Sequence, residues 1–291
     1  VSDNTTIKWE NKESLYCLHI QQDAYADSPR EWDEVTTMAC WHRHYRLGDS
    51  LADKSPEDFW RRLVSEHIPQ EKLVKFALEG KIQNIRIAEN EEDSSRYDIF
   101  ETCSVLDHAP EEYLEYECVP EDMIAEYLNE MLDIKQCVQL MEPYAEWMPL
   151  WLYDHSGISI SCGERVYPYN DRWDSGQVGW IVAPKGKIIH EFQVGENSWR
   201  EKAIEVMKCD VELYDYYIRG ETYCYTLYAA SNPDSGKDIY WEEVDSCCGY
   251  YGSGIEENGM MDIGYGFAEA IKAGTYTEGT AEMVVSYTYK F

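Results

Sequence analysis

The chain has 291 residues, with 25 Lys and Arg against 56 Asp and Glu, so its formal charge at pH 7 is −31. This charge repels phosphate groups and argues against direct binding of nucleic acid or of an anionic membrane. Hydrophobic residues make up 44% of the chain, which is enough for a folded core and excludes a disordered protein. No stretch approaches the roughly 18 uncharged apolar residues of a membrane span, and residues 1–10 lack a signal-peptide pattern. The sequence therefore predicts a cytoplasmic protein.

The first part of the chain, residues 1–88, contains one predicted strand and one well-marked helix start. Apolar residues among polar ones predict the strand over 13–21. The segment 55–58, Ser-Pro-Glu-Asp, combines an N-cap residue, a proline in the first turn and two acids at the positive end of the helix dipole. Phe59, Trp60, Leu63 and Val64 follow at a spacing that predicts a buried helix face.

The second part, residues 89–146, is strongly acidic. It holds 18 Asp and Glu but only two basic residues, Arg96 and Lys135, and its charge of −16 is about half of the total. The segments 109–112 and 119–122 each place a proline before two acids, which is typical of a helix start. Apolar residues between 123 and 132 form a stripe that would pack against a core. The sequence therefore predicts an acidic helical insertion.

The third part, residues 147–291, alternates predicted strands with one long helix. Strands are predicted within 149–162 and over 177–183, and a helix is predicted from the cap at 197–198 to residue 219. A hairpin is expected from 221–229 and 239–244, with its turn at 232–236, and a closing strand is expected over 283–289. The predicted class is α+β, with antiparallel sheets and several packed helices, and this part is expected to complete one core with residues 1–88.

Ten cysteines are scattered along the chain without any Cys-x-x-Cys pair, so the spacing of a zinc finger is absent. An even number of cysteines could form disulfides in a secreted protein. In a chain without a signal pattern, many of whose cysteines neighbour aromatic residues, we expect reduced and buried thiols. No cofactor is predicted.

Two segments are dense in side chains that could carry chemistry. His42 and His44 would share one face of an extended segment, a spacing compatible with joint ligation of a metal. Asp154, His155 and Ser156 are followed by Asp174 and Ser175 in the segment 173–177, so an Asp/His/Ser set or a metal site of two His and an Asp is an alternative interpretation. Asp and Ser beside Gly are also typical of turns, and His beside aromatic residues is commonly buried and hydrogen-bonded. We therefore predict no catalytic or metal-binding residues, and keep a small metal- or His-dependent hydrolase as the alternative.

Six short blocks of the sequence occur in a specific order. They are Ser-Pro-Arg-Glu-Trp-Asp at 28–33, Cys-Trp-His-Arg at 40–43, Leu-Gly-Asp at 47–49, Leu-Tyr-Asp-His-Ser-Gly-Ile at 152–158, Trp-Asp-Ser-Gly-Gln-Val-Gly at 173–179 and Asp-Ser-Cys at 245–247. Together these blocks resemble a family of proteins encoded by phages and other mobile elements of Gram-positive bacteria. The resemblance implies a mobile-element setting in a bacterial host cell and supplies no catalytic residues. Family members pass almost directly from the first blocks to the later ones, so the acidic segment is a departure. We expect the blocks, Trp173 among them, to form packed turns of the fold.

These observations predict an acidic anti-defence inhibitor that binds a basic nucleic-acid-binding surface of a host defence protein, such as a CRISPR, restriction or related nuclease. A charge of −31 corresponds to about 15 base pairs of duplex DNA, so the protein could act as a DNA or RNA mimic. A phage scaffold or interaction protein without mimicry is a further alternative. The predicted partner-binding residues are Glu111, Glu112, Glu115, Glu117, Glu121, Asp122, Glu126 and Glu130.

Overall fold

The structure is a computed structural model that describes residues 4–11, 14–32, 35–103, 111–163, 173–231 and 241–280. The described residues form seven α-helices and twelve strands, and the strands lie in antiparallel sheets. The predicted α+β class is therefore confirmed. The helices are α1 (Pro56–His67), α2 (Gln70–Leu78), α3 (Glu121–Met131), α4 (Ile134–Met141), α5 (Lys185–Phe192), α6 (Trp199–Ile218) and α7 (Phe267–Ala273).

The strands form three sheets among the described residues, with the orders β11-β10-β2-β1-β12, β3-β9-β7-β8 and β4-β5-β6. Their bounds are β1 (Asn4–Asn11), β2 (Ser14–Gln22), β3 (Thr37–Cys40), β4 (Ile85–Glu89), β5 (Arg96–Cys103), β6 (Glu111–Pro120), β7 (Ala145–Asp154), β8 (Ile158–Cys162), β9 (Ser175–Pro184), β10 (Thr222–Ser231), β11 (Glu242–Tyr251) and β12 (Tyr276–Thr280).

The chain divides into two units, each assembled from separate segments of the sequence. The first unit contains Val1–Glu34, Trp151–Gly176 and Lys208–Phe291, and the second contains Val35–Leu150 and Gln177–Met207. This division differs from the three predicted parts, 1–88, 89–146 and 147–291. The acidic segment lies inside the second unit and is not a unit of its own.

The first unit is organised around its five-stranded antiparallel sheet. Leu18 and Ile20 of β2 face Leu227 and Tyr225 of β10, and these four side chains are buried in one cluster with Phe267 of α7. The predicted strand over 13–21 is found as β2. The predicted hairpin is found as β10 paired with β11, although its turn lies outside the described residues. The predicted closing strand over 283–289 also lies outside them.

The second unit has a core in which helices and strands from the acidic segment pack with α1 and α2. Ser55 caps α1 by accepting a hydrogen bond from the backbone N–H of Asp58 at 3.1 Å, as the sequence predicts. Trp60 of α1 is fully buried in the same cluster as Ile99 of β5 and Leu128 of α3. The acidic segment therefore contributes directly to the core of this unit.

The acidic segment is not helical throughout, and the helix start predicted at 109–112 is wrong. Residues 111–120 form strand β6, which pairs with β5 through residues such as Leu114 opposite Phe100. The segment Glu-Glu-Tyr-Leu-Glu-Tyr-Glu contains two Tyr that favour a strand, and pairing with β5 outweighs the local helix signal. The second helix start is confirmed, because α3 begins directly after Pro120.

Two expectations about aromatic and apolar residues need correction. The side chain of Trp173 is 95% exposed, so its predicted place in a packed turn is wrong. In the apolar stripe of α3, Ile124 and Leu128 are fully buried, but Met123 and Met131 are 60% and 42% exposed. The apolar stripe of α3 is therefore only partly buried, and its two methionines lie on the surface.

Candidate partner-binding surface

Strand β6 lies at one edge of the sheet β4-β5-β6, and among the described strands it pairs with β5 alone. Residues 111–117 are all exposed, on both faces of the strand. An edge strand leaves one row of backbone N–H and C=O groups unpaired, and charged side chains protect such an edge from unspecific pairing. The four glutamates of β6, at 111, 112, 115 and 117, therefore lie on an accessible strand.

Glu112 is held by an ion pair with Arg86 of β4. The guanidinium group donates two hydrogen bonds, at 2.8 and 2.6 Å, to the two carboxylate oxygens. It also lies 3.9 Å from the ring centre of Phe100, which fixes its orientation. The ion pair lowers the pKa of Glu112 below its usual value. Within the described part of the chain, the other seven predicted partner-binding acids form no ion pair.

A bulge shifts the pairing of β5 with β6 near Asp98. The carboxylate of Asp98 accepts hydrogen bonds from the backbone N–H of Cys118 at 2.9 Å and from the side-chain amide of Asn90 at 2.8 Å. The bond from Cys118, and then that from Asn90, lowers the pKa of Asp98. Cys118 has a φ of 58°, and the register shifts between Tyr97 and Ile99. Such bulges bend an edge strand and hinder its pairing with a further strand.

Aromatic side chains connect β6 with α3. The carboxylate of Glu101 accepts hydrogen bonds from the hydroxyl groups of Tyr113, at 2.9 Å, and of Tyr127. Burial, and then the charge and hydrogen bond of Glu101, raises the pKa of Tyr127 above its usual value. The ring of Tyr116 packs edge-on against that of Tyr127, with 5.5 Å between their centres. These contacts hold the exposed strand and the helix in one fixed arrangement.

Helix α3 carries the other four predicted partner-binding residues. Asp122, Glu126 and Glu130 are exposed, and Glu121 is half-buried. The buried face of the helix, with Leu128 at its centre, fixes these acids by packing into the core of the second unit. We call the exposed side chains of β6 and α3, between residues 111 and 131, the acidic surface. It contains seven exposed acids, together with the half-buried Glu121 at its edge, and no basic residue.

A cavity of about 420 Å³ lies between α1, α2 and α3. Asp122, Met123 and Glu126 of the acidic surface line one side, and Val64 and Leu73 line the other. The cavity therefore combines two carboxylates with an apolar wall. It offers a place for a long side chain that carries a positive charge at its end.

His42 and His44 lie close together in the second unit, but their surroundings are those of a turn. The Nδ1 atom of His42 accepts hydrogen bonds from the backbone N–H groups of His44 and Tyr45, at 3.4 and 3.3 Å. The ring of His42 also stacks on that of Tyr45, with 5.1 Å between centres. In the part of this unit that the structure describes, no third ligand joins the two histidines to form a metal site.

His155 and Asp154 lie in the first unit, where His155 pairs with a different aspartate. The Nδ1 atom of His155 lies 2.8 Å from a carboxylate oxygen of Asp174, and the backbone N–H of Asp154 donates to the backbone oxygen of Asp174 at 2.6 Å. The side chain of His155 is 62% exposed. An Asp–His pair of this kind orients an imidazole, but an exposed pair lacks the enclosed surroundings in which such pairs catalyse.

The sequence interpretation missed two features of the structure. The expectation that all cysteines are reduced is wrong for Cys224 and Cys248, which form a disulfide between β10 and β11. The second is the exposed Tyr113, Leu114 and Tyr116 on β6, which are 44%, 47% and 48% exposed. The two Tyr of the segment 111–117 favour a strand, but its acids do not alternate regularly with the aromatic residues, so the sequence signal for β6 is weak.

Comparisons with protein-family models, with curated proteins and with solved structures each found no match to this chain. The resemblance to proteins of phages and mobile elements therefore stays a prediction. None of the helices that the structure describes is long and apolar enough to cross a membrane.

Proposed function

We propose that this protein is an acidic anti-defence inhibitor from a phage or mobile element. In this proposal the acidic surface occupies the basic nucleic-acid-binding cleft of a host defence protein, and the protein has no enzymatic activity. The observation that carries the proposal is the combination of unneutralised carboxylates with exposed apolar side chains on β6 and α3.

The charge of the acidic surface is available to a partner. Eight acids within 21 residues, with no basic residue among them, create a strong negative potential. Only Glu112 is paired, with Arg86, within the described residues. A surface whose only role is solubility would normally mix charges of both signs. Single-sign charge instead steers a basic partner and raises the association rate.

Exposed apolar side chains on the same surface supply affinity that charge alone does not. Tyr113, Leu114 and Tyr116 lie among the glutamates of β6, and Met123 and Met131 lie on α3. Aromatic residues dominate the binding energy of protein interfaces, whereas charges at a rim mainly change association rates. The tyrosines are held by Glu101 and Tyr127, so they lose little conformational freedom on binding.

The spacing of charges on β6 favours a partner that binds single strands. The span from Glu111 to Glu117 is about 20 Å at the rise of a β-strand, and its three carboxylates outside the pair of Glu112 with Arg86 give about one charge per 7 to 10 Å. One strand of DNA carries one charge per about 3.4 Å, and a duplex carries one per about 1.7 Å. Grooves that bind single strands also stack the bases on aromatic side chains, and the tyrosines of β6 would take the place of these bases.

A triple variant of β6 tests the proposal. Glu111→Gln, Glu115→Gln and Glu117→Gln remove three charges and leave the pair of Glu112 with Arg86 intact. We call this protein the β6 triple variant. The wild type, used as bait in a lysate of the host with its defence genes, should capture a nuclease or another basic nucleic-acid-binding protein. The β6 triple variant should bind that partner at least tenfold more weakly.

A matched control separates a binding surface from a merely solvated one. Glu242→Gln, Glu243→Gln and Glu278→Gln remove three exposed charges from β11 and β12, the two edge strands of the sheet in the first unit. This control triple variant has the same net charge as the β6 triple variant and should bind as tightly as the wild type. Equal losses in both variants, or no loss in either, would contradict the proposal.

A further inference from the structure

Three potential metal ligands lie on one face of the sheet in the first unit. In the pairing of β2 with β10, Cys224 is opposite Gln21, so Asp23, two residues further along, lies on the same face as Cys224. Cys248 of the next strand, β11, reaches Cys224 and forms the disulfide. The two sulfur atoms and a carboxylate oxygen of Asp23 all lie within 4.8 Å of one another.

The position of Asp23 is fixed by its backbone. Its N–H donates to the backbone oxygen of Thr222 at 2.7 Å, and its own backbone oxygen accepts from the hydroxyl of Thr222 at 3.1 Å. Its carboxylate also accepts from the backbone N–H of Tyr25 at 3.0 Å. Because Cys224 and Cys248 lie on adjacent strands and Asp23 directly follows the next strand, β2, the site does not depend on a long loop to bring the three ligands together.

The three ligands open onto a cavity of about 710 Å³. The cavity is lined by Asp23 and Asp27, by polar side chains such as Gln22, and by the rings of Tyr25 and Tyr251, and among the described residues its lining contains no Lys, Arg or His. Two carboxylates that line one cavity favour a positively charged occupant. The space is also large enough for water molecules that complete a coordination shell.

We propose that Cys224, Cys248 and Asp23 bind a thiophilic divalent cation of the Zn²⁺ class when the disulfide is reduced. Zinc binds thiolate sulfur at about 2.3 Å and carboxylate oxygen at about 2.0 to 2.2 Å, so tetrahedral ligands are about 3.5 to 3.8 Å apart. All three ligand atoms lie within 4.8 Å of one another, which is close enough for rotation of the reduced side chains to reach this geometry. A water molecule from the cavity takes the fourth position.

Reduction of the disulfide by a cellular thiol converts the oxidised form into the metal-binding form. Two molecules of a cellular thiol reduce the disulfide with two electrons and two protons, giving two cysteine thiols and one disulfide of the cellular thiol. Binding of the divalent cation then releases the two thiol protons, because thiolate is the ligand. Cys248 is exposed, so the disulfide is accessible to the attacking thiol. The site is therefore a metal site in a reducing cytoplasm and a disulfide under oxidation.

Titration of the reduced, metal-free protein with Co²⁺ under anaerobic conditions tests this inference. The wild type should bind one equivalent with the visible absorption of tetrahedral Co²⁺ and a thiolate-to-cobalt charge-transfer band, and Zn²⁺ should displace it. Cys248→Ser should lower the affinity at least a hundredfold. Asp23→Asn should lower it about tenfold and keep the charge-transfer band. The oxidised wild type should bind no Co²⁺ at this site.

Cys247→Ser is the matched control, because Cys247 is the exposed neighbour in sequence and takes no part in the disulfide. It should bind Co²⁺ like the wild type. Absence of the bands in the reduced wild type, equal binding by Cys248→Ser and the wild type, or an equal loss in Cys247→Ser would overturn the inference. Far-UV circular dichroism verifies that each variant is folded, and Asp23→Asn tests the site with both cysteines intact.

Discussion

The disulfide between Cys224 and Cys248 should stabilise the oxidised protein by an amount that follows from its position in the chain. The two cysteines are 24 residues apart, so the bond closes a loop of about 25 residues. Closing such a loop removes about 12 cal/mol/K of entropy from the unfolded chain, which is about 3.5 kcal/mol at 25 °C. At about 2 to 4 °C per kcal/mol for a chain of this size, the oxidised protein should melt roughly 7 to 14 °C above a form without the bond.

Thermal unfolding followed by circular dichroism, with a chelator present to exclude metal, measures this difference. The oxidised wild type should melt well above Cys248→Ser, and a reductant should lower the melting temperature of the wild type to that of the variant. Cys247→Ser should keep the higher melting temperature and its response to reductant. If peptide mapping finds no link between Cys224 and Cys248, the disulfide does not form. If the oxidised wild type and Cys248→Ser have the same melting temperature, the disulfide does not stabilise the fold.

A buried side chain, a close approach of two strands and a buried thiol lead to three further predictions. Leu128→Ala should lower the free energy of unfolding by about 2 to 5 kcal/mol in urea titrations, because this side chain is fully buried; a change under 1 kcal/mol would contradict the packing of α3. Gly179→Ala should lower the melting temperature strongly, since its Cβ would lie 1.8 Å from a backbone oxygen of β3. Gly176→Ala is the control and should have only a small effect, because its Cβ would meet no neighbour. Similar melting temperatures of the two variants would count against the close approach of β3 and β9. Burial raises the pKa of Cys137 to about 12, so alkylation of the folded protein at pH 8 should modify the exposed Cys209 before Cys137. Equal alkylation rates of the two cysteines, measured by mass spectrometry, would argue against the burial of Cys137.

Elements with strong local signals could be predicted from the sequence. Helix α1 begins where the Ser-Pro-Glu-Asp segment predicts it, because the cap at Ser55 and the following apolar residues act within one turn. Helix α6 ends at Ile218, directly before the turn that contains Gly220, whose φ of 71° suits glycine. In both cases the residues that determine the boundary are neighbours in sequence.

Strand β6 could not be predicted in the same way, because its structure depends on a distant partner. Proline and two acids before Tyr113 suggest a helix locally, and only pairing with β5 makes the strand the better choice. The disulfide could not be predicted for the same reason. Cys224 and Cys248 meet only through the register of β10 with β11, and no spacing pattern in the sequence indicates that register.

The exposure of the acids of the candidate surface could be expected from the sequence, whereas their role stays a prediction. Seven of the eight acids are exposed and Glu121 is half-buried, because carboxylates avoid burial without a partner. The exposure of Tyr113 and Tyr116 was not predicted, because a helix was expected in this segment and side chains on a helix point in other directions than those on a strand. The sequence groups His155 with Asp174 and Asp154 as one candidate set, but only the folded chain shows that Asp174, 19 residues away, is the partner of His155.

Competition for the partner's nucleic-acid-binding surface tests the central proposal most directly. The captured defence protein is bound to labelled single-stranded DNA, and unlabelled wild-type protein is added while fluorescence anisotropy is recorded. We predict that the wild type displaces the DNA competitively and that the β6 triple variant needs at least a tenfold higher concentration, whereas the control triple variant matches the wild type. If the partner holds its DNA with unchanged affinity while the wild-type protein is bound to it, the acidic surface does not occupy the nucleic-acid-binding cleft and the proposed function is wrong.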